Sequence, residues 1–295
     1  MTQARSAVPK PVTRKRDPRK GRSSTALDTL AASIADRRVI LFAGAGLSMS
    51  LGLPSWRELI VCMCREIGLD ADQITGPDSY RSLAEYYRIK QGNVASLRRW
   101  MDQNWKLSRQ QVPRSRIHDL IIQLNFPIIY TTNYDRNIEA AFDAHHKPYV
   151  KIANARDLAK TRDGATQIIK FHGDFEQEES LVITETDYFD RLRFDSPLDI
   201  KFRADALGKI VLFLGYSMSD MNIRLLLHWL WRTWEKSGYE RDRPRSFIFM
   251  AHENEMQAAI LKQWGVVPLR GDAEDPERAL IDFLEELKNK MLRPA

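Results

Sequence analysis

The sequence predicts an α/β protein, a doubly wound, Rossmann-like parallel sheet with an inserted helical subdomain. Short apolar runs rich in β-branched residues alternate with segments of helical length, which is the pattern of such a sheet. Three of these runs end in small or polar residues, and the carboxyl edge of a parallel sheet is where ligand sites lie. The three endings are residues 42–48 (FAGAGLS), 130–135 (YTTNYD) and 170–174 (KFHGD). Together they offer a phosphate-binding loop, an Asn/Asp pair and a histidine base, which suits chemistry on a dinucleotide.

The individual elements follow from hydrophobic runs and from residues that start or stop helices. Core strands are predicted at 38–42, 126–130, 167–171, 209–214, 246–250 and 266–269, with a short peripheral strand at 180–184. Helices are predicted from Ser24 or Thr25 to about residue 35, and at 137–144, 187–193 and 221–234. Ser219 or Asp220 is expected to cap the helix at 221, and Asp275 before Pro276 begins the last helix.

Residues 57–123 are mostly helical in pattern, and this stretch is too long for a simple crossover. It is therefore predicted to be the inserted helical subdomain. It contains Cys62 and Cys64, the two cysteines of the chain. Residues two apart on a helix point in different directions, so a mutual disulfide is not expected. Two cysteines also do not supply a four-ligand zinc site, and a reducing cytoplasm is the simplest setting.

The charge of the chain is concentrated at its beginning. Residues 1–24 hold eight basic residues and one acid, a net charge of 8 − 1 = +7. Because the net charge of all 295 residues is +6, the rest of the chain is close to neutral. Three prolines and few apolar residues predict a disordered basic tail at 1–24, ahead of a catalytic domain at 25–295. The tail reads mainly as a solubilising arm, with an acidic partner or nucleic acid as the alternative. Neither a membrane helix nor a secretory signal is expected.

The glycine-rich segment after the first strand is the candidate phosphate site. Gly44, Ala45 and Gly46 let the backbone approach a ligand closely, and Ser48 follows at the start of the next helix. Free amides and the positive end of that helix would favour a pyrophosphate. The alternative is a tight strand-to-helix turn without a ligand, because position 49 is methionine and the third glycine of the dinucleotide-binding pattern is absent.

Polar side chains after the second and third strands are the candidate reactive groups. Asn133 and Asp135 can hold ribose hydroxyls or a water molecule, although Asp135 is equally suited to capping the following helix. His172 faces a space opened by Gly173, and an imidazole titrating near ~6.5 suits a general base. A histidine at a strand end can also be purely structural. Asp174 could orient His172 or could be solvated.

Two further segments complete the predicted site. Trp56 and Arg57, after a Gly-Leu-Pro-Ser turn, are predicted to form a lid over the sugar and phosphate, or else an ordinary surface turn. Gly215 and Ser217, after the fourth core strand, could line the dinucleotide. The next helix carries tryptophans at 229, 231 and 234, a density more typical of a core or a subunit interface than of a binding platform.

These motifs, in this order, resemble the sirtuin (silent information regulator) family. The resemblance rests on Gly44-Ala45-Gly46-Leu47-Ser48, Leu53-Pro54-Ser55-Trp56-Arg57, Thr132-Asn133-Tyr134-Asp135, His172-Gly173 and Gly215-Tyr216-Ser217. It implies that NAD+ is the ligand, with Gly44, Ala45, Gly46 and Ser48 along the phosphates. Arg57 and Asp135 would lie near the nicotinamide ribose, with Trp56 shielding the reactive sugar, and Gly215 and Ser217 would lie toward the adenosine half. Thr132 is also expected to be a cofactor-binding residue. Asn133 and His172 would match the catalytic Asn and His of the family.

The departures from the family narrow the expected activity. Deacylating sirtuins carry a four-cysteine zinc module, whereas this chain has two cysteines and a helical insertion, and Thr131-Thr132-Asn133 replaces the usual Thr-Gln-Asn. In this the chain resembles the zinc-free, sirtuin-like NAD hydrolases of bacterial antiphage defence. The resemblance implies cleavage of NAD+ to ADP-ribose and nicotinamide, without a metal.

The resemblance also implies partners and leaves alternatives. The expected assembly is a homo-oligomer with a separately encoded activator, such as an ATPase, a helicase or an Argonaute-type protein. Direct nucleic-acid contact is expected at most through the basic tail. The alternatives are an NAD-dependent protein deacylase or ADP-ribosyltransferase, and a non-catalytic NAD or ADP-ribose sensor.

Overall fold

A seven-stranded, wholly parallel sheet forms the centre of the protein in a computed structural model. The model describes residues 18–49, 51–53, 56–105, 112–177, 180–216, 218, 220–252, 254–271 and 273–292, with the backbone alone at 18–25, 56, 77 and 78. The strands are β1 (Val39–Ala43), β2 (Ile128–Thr131), β3 (Tyr149–Ile152), β4 (Thr166–Lys170), β5 (Ile210–Leu214), β6 (Ser246–Met250) and β7 (Val266–Arg270). Their order is β3-β4-β2-β1-β5-β6-β7, which confirms the predicted doubly wound α/β class.

The direction in which successive strands are added to the sheet reverses at its centre, at β1. From β1 the chain continues to β2 on one side, and it later returns to β5 on the other side. Ala43, the last residue of β1, is in register with Thr131 of β2 and Leu214 of β5. The loops that follow these three strands therefore leave the same edge side by side, where doubly wound proteins bind their ligands.

Helices cover both faces of the sheet. They are α1 (Pro18–Ala35), α2 (Gly46–Met49), α3 (Trp56–Ile67), α4 (Pro77–Gln91), α5 (Ala95–Asn104), α6 (Arg116–Leu124), α7 (Asn137–Ala144), α8 (Ala155–Leu158), α9 (Glu185–Arg191), α10 (Pro197–Gly208), α11 (Met221–Ser237), α12 (Glu255–Gln263) and α13 (Pro276–Met291). Apolar side chains of α1, α6, α7 and α13 pack on one face, and those of α10, α11 and α12 pack on the other. Because side chains alternate along a strand, Leu41 points to the first face and Phe42 to the second.

The helical subdomain consists of α3, α4 and α5, which share a separate core around Leu59, Met63 and Tyr87. Tyr134, from the loop after β2, is buried in this core, so the subdomain rests on the edge of the sheet that carries the candidate site. The predicted limit near residue 123 also includes α6. That helix packs on the main sheet face and against α13 instead.

The structure differs from the predicted elements at several places, including helices α8, α10 and α12, for which no helix was predicted. Residues 181–183 are buried but lie in no strand, because Val182 donates to the carbonyl of His172 and Ile183 donates to Asp187, so the predicted peripheral strand at 180–184 is wrong. Strand β3 was missed, since it is a four-residue edge strand in which only alternate residues are buried. Helix α1 begins at Pro18, within the segment predicted as a disordered tail, and residues 1–17 of that tail lie outside the described residues.

Among the described residues, no helix combines the length and the apolar character that a membrane span requires.

Candidate functional site

The glycine loop after β1 packs tightly against the loop after β5. The amides of Gly44 and Gly46 donate to the carbonyls of Leu214 and Gly215 at 2.9 and 2.8 Å. A Cβ on Gly44 would collide with the Gly215 carbonyl oxygen, and one on Gly46 would lie 2.8 Å from the Gly215 Cα. Gly215 itself has a φ of 62°, which a residue with a side chain adopts at a cost. Loop packing therefore requires these glycines, and both amides have protein acceptors.

A hydrogen-bonded chain links the loop after β1 to the loop after β2. The side-chain nitrogen Nδ2 of Asn133 donates to the carbonyl of Gly44 at 3.0 Å and to Ser48 Oγ at 3.1 Å. Ser48 Oγ in turn donates to Asp135 Oδ2 at 2.7 Å. Ser48 and Asp135 are buried, and Asn133 is half-buried. Gly44 and three side chains, all predicted from two separate motifs, are thus linked; we call the three side chains the Ser48–Asn133–Asp135 cluster.

Asp135 accepts hydrogen bonds at both of its carboxylate oxygens. One carboxylate oxygen accepts from Ser48, and the other accepts from the backbone amide of Asn137 at 3.0 Å, at the start of α7. The carboxylate is therefore held at both oxygens before any ligand arrives.

A buried ion pair, Lys170–Glu139, contacts the main chain of the loop after β2. The ammonium of Lys170, on the last residue of β4, donates to the main-chain carbonyl of Asp135. It also lies 3.6 Å from Glu139 Oε1, on α7. Both side chains are almost wholly shielded from solvent. Burial raises the pKa of Glu139, and the charge of Lys170 opposes that rise. Lys170 belongs to the 170–174 motif, but its residue type alone predicts no role at the site.

His172 is buried at the same edge of the sheet, just beyond β4. Its ring stacks on Phe171, at 6.1 Å between centroids, and meets the edge of Tyr188 at 5.5 Å. Burial lowers the pKa of His172 to about 4, Asp220 opposes this shift, and Arg191 adds to it. The imidazole is therefore neutral at pH 7 and has a lone pair that can accept a proton.

Asp220 is the residue that sequence reasoning underestimated. Asp220 Oδ1 accepts from the amides of Asn222 and Ile223 at 2.9 and 3.3 Å, so it caps α11 as predicted. Asp220 Oδ2 lies 3.4 Å from His172 Nε2, a contact between loops that are 48 positions apart. An aspartate just before a helix looks the same in the sequence whether it only caps the helix or also contacts a histidine. Only the fold distinguishes the two roles.

Asp174 does not have the role considered for it. It is fully buried rather than solvated, and its carboxylate lies 3.1 Å from Lys151 Nζ and accepts from the amide of Glu176 at 2.8 Å. The partner of His172 is Asp220 instead.

The remaining predicted residues have different positions. Thr132 is half-buried in the loop that carries Asn133, and Ala45 is exposed in the glycine loop. The guanidinium of Arg57 donates to the carbonyl of Ala71 at 2.8 Å, so it lies on the turn after α3 and outside the cluster. Trp56 is described by its backbone alone, and Ser217 lies outside the described residues.

Cys62 and Cys64 are free and buried on α3, and burial raises the pKa of both thiols. No group of three His, Cys, Asp or Glu side chains suited to a metal occurs in the part of the chain that the structure describes.

We expect the purified protein to contain no stoichiometric zinc. Two cysteines are too few for a four-cysteine zinc site. Their thiols have a raised pKa and stay protonated at neutral pH, which makes them poor metal ligands. Elemental analysis of protein purified without chelators measures this directly. One zinc per chain would contradict the prediction and would favour the deacylase alternative.

Acidification should destabilise the fold through two buried histidines. His118, on α6, resembles His172 in that burial lowers its pKa to about 4. Both are neutral in the folded protein but bind protons near pH 6.5 once unfolded, so stability is lost as pH falls from about 6.5 to about 4. At pH 5 the loss is about 2 kcal/mol per histidine. Urea unfolding at pH 7 and pH 5 measures this loss in the free energy of unfolding. His118→Gln should remove about half of the difference between the two pH values. An unchanged difference in that variant would contradict the assignment.

The fold brings several polar side chains together at one edge of the sheet. This edge carries a fixed carboxylate, a carboxamide bonded to the glycine loop, and a neutral imidazole beside a second carboxylate. Such a set can hold a polyhydroxylated ligand, stabilise positive charge and accept a proton.

The chain is similar in sequence to several known proteins. Residues 127–269 match the family model described as a SIR2-like domain. The chain is 30% identical over 225 residues to NAD(+) hydrolase ThsA of Bacillus cereus, covering 75% of this chain and 44% of that protein. It is 35% identical over 207 residues to NAD(+) hydrolase ThsA of Enterococcus faecium, covering 68% and 42%. It is 27% identical over 211 residues to Defense-associated sirtuin 2 of Bacillus subtilis, covering 69% and 20%.

The chain spans less than half the length of these relatives, so the activities in their names are those of longer proteins. What the chain shares with them is a domain of one family. The ordered motifs resemble sirtuins, the parallel sheet gathers Gly44, Ser48, Asn133 and Asp135 in one cluster with His172 at the same edge, and the family model matches from β2 to β7. Residues 127–269 of this chain match the SIR2-like domain family.

Proposed function

We propose that the protein hydrolyses NAD+ at the bond between nicotinamide and ribose, releasing nicotinamide and ADP-ribose. The observation that carries the proposal is the Ser48–Asn133–Asp135 cluster, which lies at the same sheet edge as a buried, neutral His172. The names of the relatives from Bacillus cereus and Enterococcus faecium support NAD+ as the substrate.

The reaction proceeds by dissociation. The bond between C1′ and the pyridinium nitrogen breaks with its electron pair on nitrogen, so nicotinamide leaves neutral and the ribose becomes an oxocarbenium-like cation, as in other glycosyl transfers. The Asp135 carboxylate stabilises that cation, and Asn133 orients the ribose or the attacking water. Water then bonds to C1′, and His172 accepts its proton.

The decisive experiment follows nicotinamide release from NAD+ with the purified protein. A chromatographic assay that separates nicotinamide, ADP-ribose and cyclic ADP-ribose distinguishes hydrolysis from cyclisation. Adding acyl-lysine peptides tests the deacylase and transferase alternatives. NAD+ binding without any cleavage, in the presence of the products of neighbouring genes, would contradict the proposal and favour a sensor.

We extend the proposal to biology, in that depletion of NAD+ would serve antiphage defence. The name of the Bacillus subtilis relative supports this role. An unregulated NAD+ hydrolase would harm its own cell, so a separately encoded activator is part of the proposal. Comparing phage resistance of cells that express the wild-type chain or an Asn133→Ala variant, with its neighbouring genes, tests this.

We expect the isolated protein to be a homo-oligomer of low activity. On α11, Trp229 is 53% exposed, and Trp231 and Trp234 are half-buried, so a large aromatic surface remains for a neighbouring subunit. Light scattering at micromolar concentration should give a mass above 34.2 kDa. Trp229→Lys should lower that mass, and Ile89→Lys, which alters an exposed apolar side chain on α4, should not. A fully active monomer would contradict both expectations.

A further inference from the structure

We propose that Asp220 is a positioning residue that orients the imidazole of His172 and stabilises the imidazolium formed when His172 accepts a proton. The inference rests on the proposed function, because it assigns Asp220 a part in the reaction of His172. It goes beyond the family resemblance, whose motifs end at Ser217.

The first support is the rigid placement of the carboxylate. Asp220 Oδ1 is held by the amides of Asn222 and Ile223 at the N-terminus of α11, so the side chain has little rotational freedom. This places Asp220 Oδ2 3.4 Å from His172 Nε2. The separation slightly exceeds a direct charge-assisted hydrogen bond, and a small ring movement on substrate binding would close it.

The second support is an unsatisfied nitrogen. His172 is 3% exposed, and its Nε2 is buried without a hydrogen-bond partner. Asp220 is the acceptor nearest to this nitrogen among the contacts the structure describes. An unmade buried bond costs free energy, so closing this gap is favourable.

The third support is electrostatic. The charged and titratable groups around His172 come from three helices: Asp220 at α11, Arg191 and Tyr188 on α9, and Asp199 on α10. Burial and Arg191 lower the pKa of His172, and Asp220 is the largest influence that raises it. Without Asp220 the imidazole would be a weaker base at the pH where it must work.

The geometry makes a prediction about the His172 tautomer. A carboxylate only accepts hydrogen bonds, so Asp220 favours a proton on His172 Nε2. In Asp220→Asn, the amide oxygen continues to cap α11, because asparagine caps helices as well as aspartate does. The amide NH2 then faces His172 Nε2 as a donor and moves the proton to Nδ1. The same exchange of Asp for Asn disables the serine protease triad by this route.

The test uses Asp220→Asn and a matched control, Asp275→Asn. Asp275 caps α13 through the amide of Arg278, so the control makes the same chemical change at a helix cap of another helix. Histidine-selective nitrogen-15 spectra at neutral pH report the tautomer, with His172→Gln identifying the resonance. We expect wild type and Asp275→Asn to carry the proton on Nε2, and Asp220→Asn to carry it mainly on Nδ1.

Kinetics supply the second readout. Asp220→Asn should lower kcat for nicotinamide release about 10- to 100-fold with little change in KM, and Asp275→Asn should change neither. Wild-type kcat in Asp220→Asn would overturn the proposal. If the wild-type protein does not cleave NAD+, the proposed function fails but the spectra still decide the pairing. An identical His172 tautomer in wild type and Asp220→Asn would overturn it.

Discussion

Replacing His172 with glutamine or Asn133 with alanine should abolish NAD+ cleavage while the protein stays folded. His172→Gln removes the proton acceptor at the reactive edge, and general base catalysis contributes roughly 10²- to 10⁴-fold. Asn133→Ala removes the carboxamide that bonds to Gly44 and Ser48, and with it the proposed interaction with the ribose. We expect losses of at least about 100-fold in kcat for each.

Controls separate this loss from unfolding. His145, a half-exposed histidine at the end of α7, and Asn254, which caps α12, lie outside the cluster. His145→Gln and Asn254→Ala should retain nicotinamide release within about twofold, because surface changes and lost caps act on stability by about 1 kcal/mol. Circular dichroism and urea unfolding of all four variants complete the comparison. Full activity in either His172→Gln or Asn133→Ala would refute the assignment of these residues.

The largest effect on stability is expected from Lys170→Met. This substitution leaves Glu139 buried without the positive charge 3.6 Å away, and it also removes the donor to the carbonyl of Asp135. Breaking a buried ion pair from one side typically costs about 3–5 kcal/mol. Urea unfolding monitored by tryptophan fluorescence should show this decrease in the free energy of unfolding.

The double variant Lys170→Met, Glu139→Gln tests the reason. Removing both charges avoids the uncompensated carboxylate, so we expect the double variant to be more stable than Lys170→Met alone. The exposed pair Arg278–Asp282 on α13, 2.9 Å apart, is the matched control, and Arg278→Met should cost no more than about 1 kcal/mol. Equal losses in the single and double variants would show that Lys170 acts only through the Asp135 carbonyl.

Most of the strands and the motifs that follow them were predictable, because each is encoded by neighbouring residues in the sequence. The runs at β1, β2, β4, β5, β6 and β7 are apolar and β-branched over the length of a strand, so burial on both faces of a parallel sheet is visible in the sequence. Strand β3 was not predictable in this way. It is an edge strand, and its pairing with β4 depends on a neighbour that local sequence does not name.

The same division holds for the candidate site. Gly44, Asn133, Asp135 and His172 were found from motifs at strand ends, and their residue types already indicate chemistry on a sugar and a phosphate. The motifs do not indicate that Gly44 and Gly46 are required by the backbone of Gly215, or that Asp174 pairs with Lys151. These are contacts between loops from different strands.

The sequence by itself determined the fold class, the family and the residue types at the reactive edge, since hydrophobic period and short motifs are properties of neighbouring residues. The tertiary structure alone decided which carboxylate faces His172, which cation neutralises Glu139, and how both histidines come to be neutral at pH 7. The physical reason is that pairing and desolvation depend on distance in space. Side chains 48 and 31 positions apart meet in Asp220–His172 and Lys170–Glu139 only after the chain has folded into the parallel sheet and its covering helices.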